Sequence, residues 1–295
     1  MNNKNEYKAG LTSALVCGFM WGVFPVYWNA LKPIDSFTII LYRITLMSVI
    51  CFFVCLFTMG LKEAYKPMFE SKKSFFLYLI SGIVITINWS IYILSINAGY
   101  VIQTSMGYFL EPLVVCLFGM LFYHEYANKW KKTAMIFAVF GLIIMIIGYR
   151  QIPIIAVGLG FSFAVYAAIK KLIKINPIQS LLLETTFVMP VTLAMILYRE
   201  FTGTGALAVD GGSKFFLLMF SGLVTAVPLA LFSYAASHLP LVTLGLTDYL
   251  SPSISLIIGI FVFKEAFDVI QFSAFVLIWI GLIFFSYGEV KEQRK

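Results

Sequence analysis

Four ionisable side chains, Arg43, Glu111, Glu184 and Asp248, stand well inside long apolar stretches of a 295-residue chain. At a bilayer centre such residues cost roughly 2.5–3.5 kcal/mol each on insertion scales, so they face a cavity, a partner or an ion pathway. A helical rise of about 1.5 Å per residue places their depths. Arg43 lies about 10 Å and Glu111 about 14 Å from one face, so the two are expected to share a level and pair across a cavity. The alternative is an Arg43 that snorkels outward on its long stem. Glu184 and Asp248 enter from the opposite face, roughly 9 and 10 Å deep, with no basic residue expected at their level. Two carboxylates in low dielectric resist ionising together. Glu184 and Asp248, with Glu111, are therefore candidates to carry a coupling proton; separate hydrogen bonds to Ser, Thr or Tyr are the structural alternative.

Polar and aromatic residues cluster around these charges. Thr243, Thr247, Ser251 and Ser255 recur every fourth residue and share a helical face. At an offset of 140 residues their counterparts are Gln103, Gly107, Glu111 and Val115, so the same face is polar or small twice. That face suits a cavity wall, or alternatively the close packing of small residues between helices. Asn88 adds an amide, and Trp21, Tyr27, Trp28, Trp89, Tyr92, Tyr108 and Tyr166 add rings that stack on flat or cationic organic solutes. Pro112 and Pro252 fall mid-span at matching positions, and matched helix breaks point to a transport site. Pro25 and Pro228 are further candidate breaks.

The elements that must hold these groups are membrane helices. The chain is 61% hydrophobic and 12% charged, with a mean hydropathy of +0.92. An ordinary globular protein carries about twice that charged fraction. Ten apolar runs, at 9–30, 35–59, 75–98, 102–123, 130–148, 153–172, 178–198, 214–237, 241–263 and 268–287, leave no room for a soluble domain. Barrel-like alternation is absent, so the fold class is all-α integral membrane with ten transmembrane helices.

The net charge of +7 would suggest nucleic acid in a soluble protein. Numbering the loops alternately puts fifteen basic residues on the side of both termini and five on the other. This bias predicts a bacterial cytoplasmic membrane protein with both termini cytoplasmic, and no nucleic-acid partner. Cys17, Cys51, Cys55 and Cys116 lie within spans and read as small apolar residues. No nucleotide loop, zinc pattern or nucleophile elbow is present, so neither an enzyme nor a cofactor or metal is expected.

The offset of 140 also aligns Ser81-Gly82 with Ser221-Gly222, Gly119 with Gly259, Glu125 with Glu265, Gly141-Leu-Ile with Gly281-Leu-Ile, and Gly148 with Gly288. Each half, 1–150 and 151–295, holds five spans. An odd number makes the second half enter from the opposite side, giving two inverted five-helix repeats. Lys72 and Lys73, against Gly212 and Ser213, agree with that inversion.

This layout resembles the drug/metabolite transporter superfamily in its EamA-type form, most closely the RarD-like branch. The residues that carry the likeness are Phe19-Met-Trp-Gly-Val-Phe-Pro25, Asn88-Trp89, Gly107-Tyr-Phe-Leu-Glu-Pro112, Gly158-Leu-Gly-Phe-Ser-Phe163, Leu183-Glu184, Thr225-Ala-Val-Pro228, Tyr249-Leu-Ser-Pro252 and the paired Glu125 and Glu265. The resemblance spans the whole chain and implies a metabolite- or drug-type permease. The expected activity is secondary transport of a small organic solute, amino-acid-like or drug-like, by alternating access and coupled to protons. Membrane lipid and a monomeric or homodimeric state complete the expected partners. Flipping of a lipid-linked substrate is the competing function.

Overall fold

The structure is a computed structural model that describes residues 3–98, 100–151, 153–210, 214–264 and 268–293. Within these residues there is no strand, and the helices are α1 (Asn3–Ala30), α2 (Ser36–Met59), α3 (Leu61–Phe69), α4 (Lys72–Asn97), α5 (Val101–Phe122), α6 (Lys129–Tyr149), α7 (Ile154–Leu172), α8 (Pro177–Thr185), α9 (Met189–Phe201), α10 (Ala206–Asp210), α11 (Phe215–Met219), α12 (Ser221–His238), α13 (Leu241–Asp248), α14 (Leu250–Phe261) and α15 (Val269–Gln293).

Hydrocarbon offers a backbone N–H or C=O no partner, so a crossing segment must satisfy them internally, as a helix does. Nine spans among the described residues are long and apolar enough to cross a bilayer, and ten when α8 and the segment after it count as one bent span. Polar side chains set the ends. Asp35 accepts from the Phe37 and Thr38 N–H groups at the start of α2, and Asn128 and Asn176 cap α6 and α8 in the same way. Gly60, at φ +77°, ends α2 in a conformation that L side chains avoid. The short α3 is amphipathic: it buries Ala64 and Met68 and turns Lys62, Glu63 and Lys66 outward.

The prolines act unequally. α1, α5 and α12 run unbroken through Pro25, Pro112 and Pro228, so these three are not the helix breaks expected from sequence. Neighbouring helices make such prolines tolerable in a membrane. The ninth span is interrupted at Tyr249, between α13 and α14, where Pro252 cannot donate to the Asp248 carbonyl. The seventh is bent by 61° between α8 and α9, just before Pro190.

Packing along α6 and α15 is reciprocal. A Cβ on Gly141 would lie 3.0 Å from the Ala274 carbonyl oxygen, and one on Gly281 3.0 Å from that of Ala134. Gly148 packs on Ile270, and Gly288 on Trp130. Each contact becomes its partner when 140 is added to one number and subtracted from the other. As numbers rise along α6 they fall along α15, so these equivalent helices run antiparallel. The matching extends to their entry turns. His124 and Lys264 both hold φ near +50°, at 51° and 54°, and Asn128 and Asp268 each accept from a backbone N–H of the helix that follows. Glu265, Gly212 and Ser213 lie outside the described residues.

Tyr7 near the start of α1 donates to Glu289 near the end of α15, so both ends of the chain share one face. On that face α5 packs along α13. Among the described residues, α5 has no comparable contact with α14 toward the other face, and α14 packs on α1. The two central spans therefore meet at the terminus-bearing face and diverge away from it.

Candidate functional site

Arg43 projects from α2 onto two indoles. Its guanidinium carbon is 4.3 Å from the Trp89 ring centre and 5.5 Å from that of Trp28. Its Nε is buried and has no hydrogen-bond partner. Arg43 makes no ion pair with Glu111, which corrects the pairing expected from depth. Depth along a span fixes height but not azimuth, and a guanidinium in a dry site settles readily on aromatic faces. Tyr92 and Tyr108, with ring centres 6.1 Å apart, stand beside Arg43. On α5, Glu111 backs onto α7 at Gly160, where a Cβ would lie 3.2 Å from the Glu111 backbone.

Asp248, the last residue of α13, is 6% exposed and its Oδ2 has no partner. Arg43, set between its two indoles, and Asp248 thus each hold a buried atom without a partner, the Arg43 Nε and the Asp248 Oδ2.

Glu184 belongs elsewhere. The expectation of no basic residue at its level is overturned: Lys170 Nζ lies 2.5 Å from Glu184 Oε1, with side-chain exposures of 0% and 2%. Ser180 donates to the same oxygen at 2.7 Å, and Tyr166 to Oε2 at 3.3 Å. Lys170 is one of the fifteen basic residues on the side of both termini, where charge alone reads as a topology signal. It in fact extends the buried face of α7 through Leu159, Phe163, Tyr166 and Ala167, and that helical spacing was the available clue. Between Trp89 and Glu184 lies a cavity of about 10 Å³, also lined by Ile44, Thr86 and Tyr166, the space of roughly one water.

Other expected cavity residues hold the scaffold. Asn88 donates to the Leu159 carbonyl and to Ser162, both at 2.9 Å, joining α4 to α7. Gln103 accepts from the Ile155 N–H at 3.2 Å and caps α7. Tyr166 is fully buried against Phe163 and Phe232. Of the polar stripe, Thr243 takes a hydrogen bond from Lys131 and Thr247 bonds the carbonyl of Leu244 within its own helix. The Ser251 backbone lies against Gly22, and Ser255 donates to the Gly22 carbonyl. In this structure the stripe contacts α1 and α6. All four cysteines are free and buried.

The model of the EamA-like transporter family matches this chain twice, over residues 8–147 and 151–287. The chain belongs to the EamA-like transporter family. The uncharacterized transporter YojE of Bacillus subtilis is 34% identical over 291 residues, covering 98% of this chain and 97% of its own. Protein RarD of Streptomyces exfoliatus is 30% identical, covering 100% of this chain and 93% of its own. A crystal structure with 11% identity superposes with a TM-score of 0.69 over 93% of this chain and 96% of the other, which supports the fold alone. This EamA-like protein is therefore a multi-pass bacterial membrane transporter.

Proposed function

We propose that this EamA-like transporter is a secondary active permease that moves a small organic solute by alternating access of two inverted units, 1–150 and 151–295. The observation that carries the reading is the meeting of α5 with α13 at the terminus-bearing face and their divergence beyond it. Unsatisfied polar atoms of Arg43 on α2 and of Asp248 at the end of α13 support a polar solute site. The reciprocal glycine contacts and the doubled family match support two related units. The basic residues near the termini support a cytoplasmic position for both chain ends.

With Trp28 and Trp89 against its guanidinium, Arg43 keeps in-plane N–H groups for an acceptor, which suits an anionic group on the solute. Glu111 and Asp248 offer a cationic group, or a proton, the opposite end of the same site. An amino-acid-like metabolite or a polar drug fits that polarity. Proton coupling would run through these acids or through Glu184, whose proton must displace the hold of Lys170.

Thermal unfolding of the purified protein against metabolites and antibiotics, at two pH values and with Glu111→Gln, tests the reading. A ligand that binds only the native state raises the melting temperature. A soluble hit lost in Glu111→Gln is the expected result. Stabilisation by lipids alone would move the assignment to a lipid flippase.

A further inference from the structure

We propose that Glu125 and Lys171 form the clasp that holds the terminus-bearing face of this transporter shut, an inference that rests on the alternating-access reading above. The Glu125 carboxylate grips the N-terminus of α13 with both oxygens. Oε1 accepts from the Leu241 N–H at 2.9 Å and Oε2 from the Val242 N–H at 2.9 Å. The first N–H groups of a helix have no partner within it and carry its positive dipole end, so a carboxylate placed there is held by charge and by geometry.

Lys171, at the end of α7, closes the arrangement. Its Nζ lies 2.7 Å from Glu125 Oε1 and donates to the Leu239 carbonyl at 2.8 Å. It also stands 5.4 Å from the centre of the Tyr123 ring, and Tyr123 in turn donates to the Ala168 carbonyl on α7 at 2.6 Å. One carboxylate and one ammonium therefore join the end of α5, the end of α7 and the start of α13 at the level where the central spans meet.

The local chain is shaped for this grip. After α5, His124 takes a left-handed φ of 51°, and the Glu125 N–H turns back to the Gly119 carbonyl at 3.1 Å. A side chain at position 119 would collide with Glu125, because a Cβ there would lie 2.5 Å from Oε2 and 2.9 Å from Leu241 Cβ. The glycine and the left-handed turn thus serve one carboxylate. The clasp is also half-hydrated, with side-chain exposures of 10% for Glu125 and 21% for Lys171. That suits a contact meant to open, since a fully buried ion pair resists separation. Nearby, Lys131 bonds Thr243 on α13 and Glu292 on α15, extending the closure sideways.

The test uses the full chain with its four native cysteines replaced by alanine, in membrane vesicles of known sidedness, probed with a membrane-impermeant maleimide. One reporter is Thr247→Cys on α13, 3% exposed in this state. The other is Tyr108→Cys on α5, 41% exposed. Glu125→Gln and Lys171→Met should each speed labelling of the first from the terminus-bearing side roughly ten-fold, the scale of a lost charge-assisted hydrogen bond. The same variants should slow labelling of the second from the other side. Loosened or unfolded protein would expose both reporters together, and that result, or no change in either, would overturn the proposal. A reciprocal shift, together with failure of the unsubstituted wild-type chain to move any solute, would keep the clasp and reject the transport reading.

Discussion

Lys170 and Glu184 meet as a fully buried ion pair, 2.5 Å apart, between α7 and α8. Removing one partner strands the other charge in low dielectric, which costs roughly 3–5 kcal/mol. Lys170→Met alone should therefore lower the melting temperature sharply. Lys170→Met combined with Glu184→Leu should recover much of the loss, because apolar replacement of a buried pair is often neutral. A double variant that regains stability yet transports without a proton gradient would assign Glu184 to coupling. One that transports as wild type does would make the pair purely structural.

Arg43 is predicted to discriminate by shape as well as charge. Arg43→Lys keeps the cation but loses the planar fork and the fit to Trp28 and Trp89. Both Arg43→Lys and Arg43→Gln should weaken binding of an anionic solute by roughly ten-fold or more. Equal affinities in wild type and Arg43→Gln, at matched expression, would remove Arg43 from the site.

Gly141→Ala and Gly281→Ala should behave as a matched pair. Each places a Cβ 3.0 Å from a backbone carbonyl on the partner helix, which must shift to admit it. Each should lose about 1–3 kcal/mol of stability, read as similar falls in melting temperature. Clearly unequal falls would count against reciprocal packing of α6 and α15.

Asp268, just before α15, gives a pH dependence whose sign can be worked out. Its hydrogen bond from the Ile270 N–H, then that from Tyr149, holds its carboxyl below the usual carboxylate range. A carboxyl depressed in the folded state stabilises above its unfolded value, about 3.9, and loses that contribution as pH falls through the folded one. Amide protection at the start of α15, taken relative to intrinsic exchange at each pH, should therefore fall in acid below that value. In Asp268→Asn, which keeps an acceptor but cannot titrate, that acid response should vanish.

Composition and periodicity located the ten spans and paired the glycines of α6 with those of α15, because both signals lie along the chain. Arg43 shows where that information stops. Its height in the membrane was legible, but its choice of Trp28 and Trp89 over Glu111 depends on how helices rotate about their axes. Lys170 was hidden for a different reason: one lysine among several near a span end looks like a topology marker until the buried face of α7 is followed through it. The Thr243 stripe was correctly seen as one face, but a polar face of small residues fits a helix neighbour as well as a cavity.

Tyr249 donates to the Phe109 carbonyl at 2.8 Å, and 109 and 249 are counterparts at the same offset of 140 that relates the halves. Under exchange of the two halves this contact maps onto itself, and the α6–α15 glycine contacts map onto one another. On the proposed alternating-access reading, these contacts persist through a turnover as fulcrum and frame. On the same reading, a contact such as Gly245 against Pro112, which has no counterpart between α5 and α14 among the described residues, is one that each cycle surrenders and regains. The symmetry of the packing thus sorts the joints of the molecule into those that bear load throughout and those that work as catches.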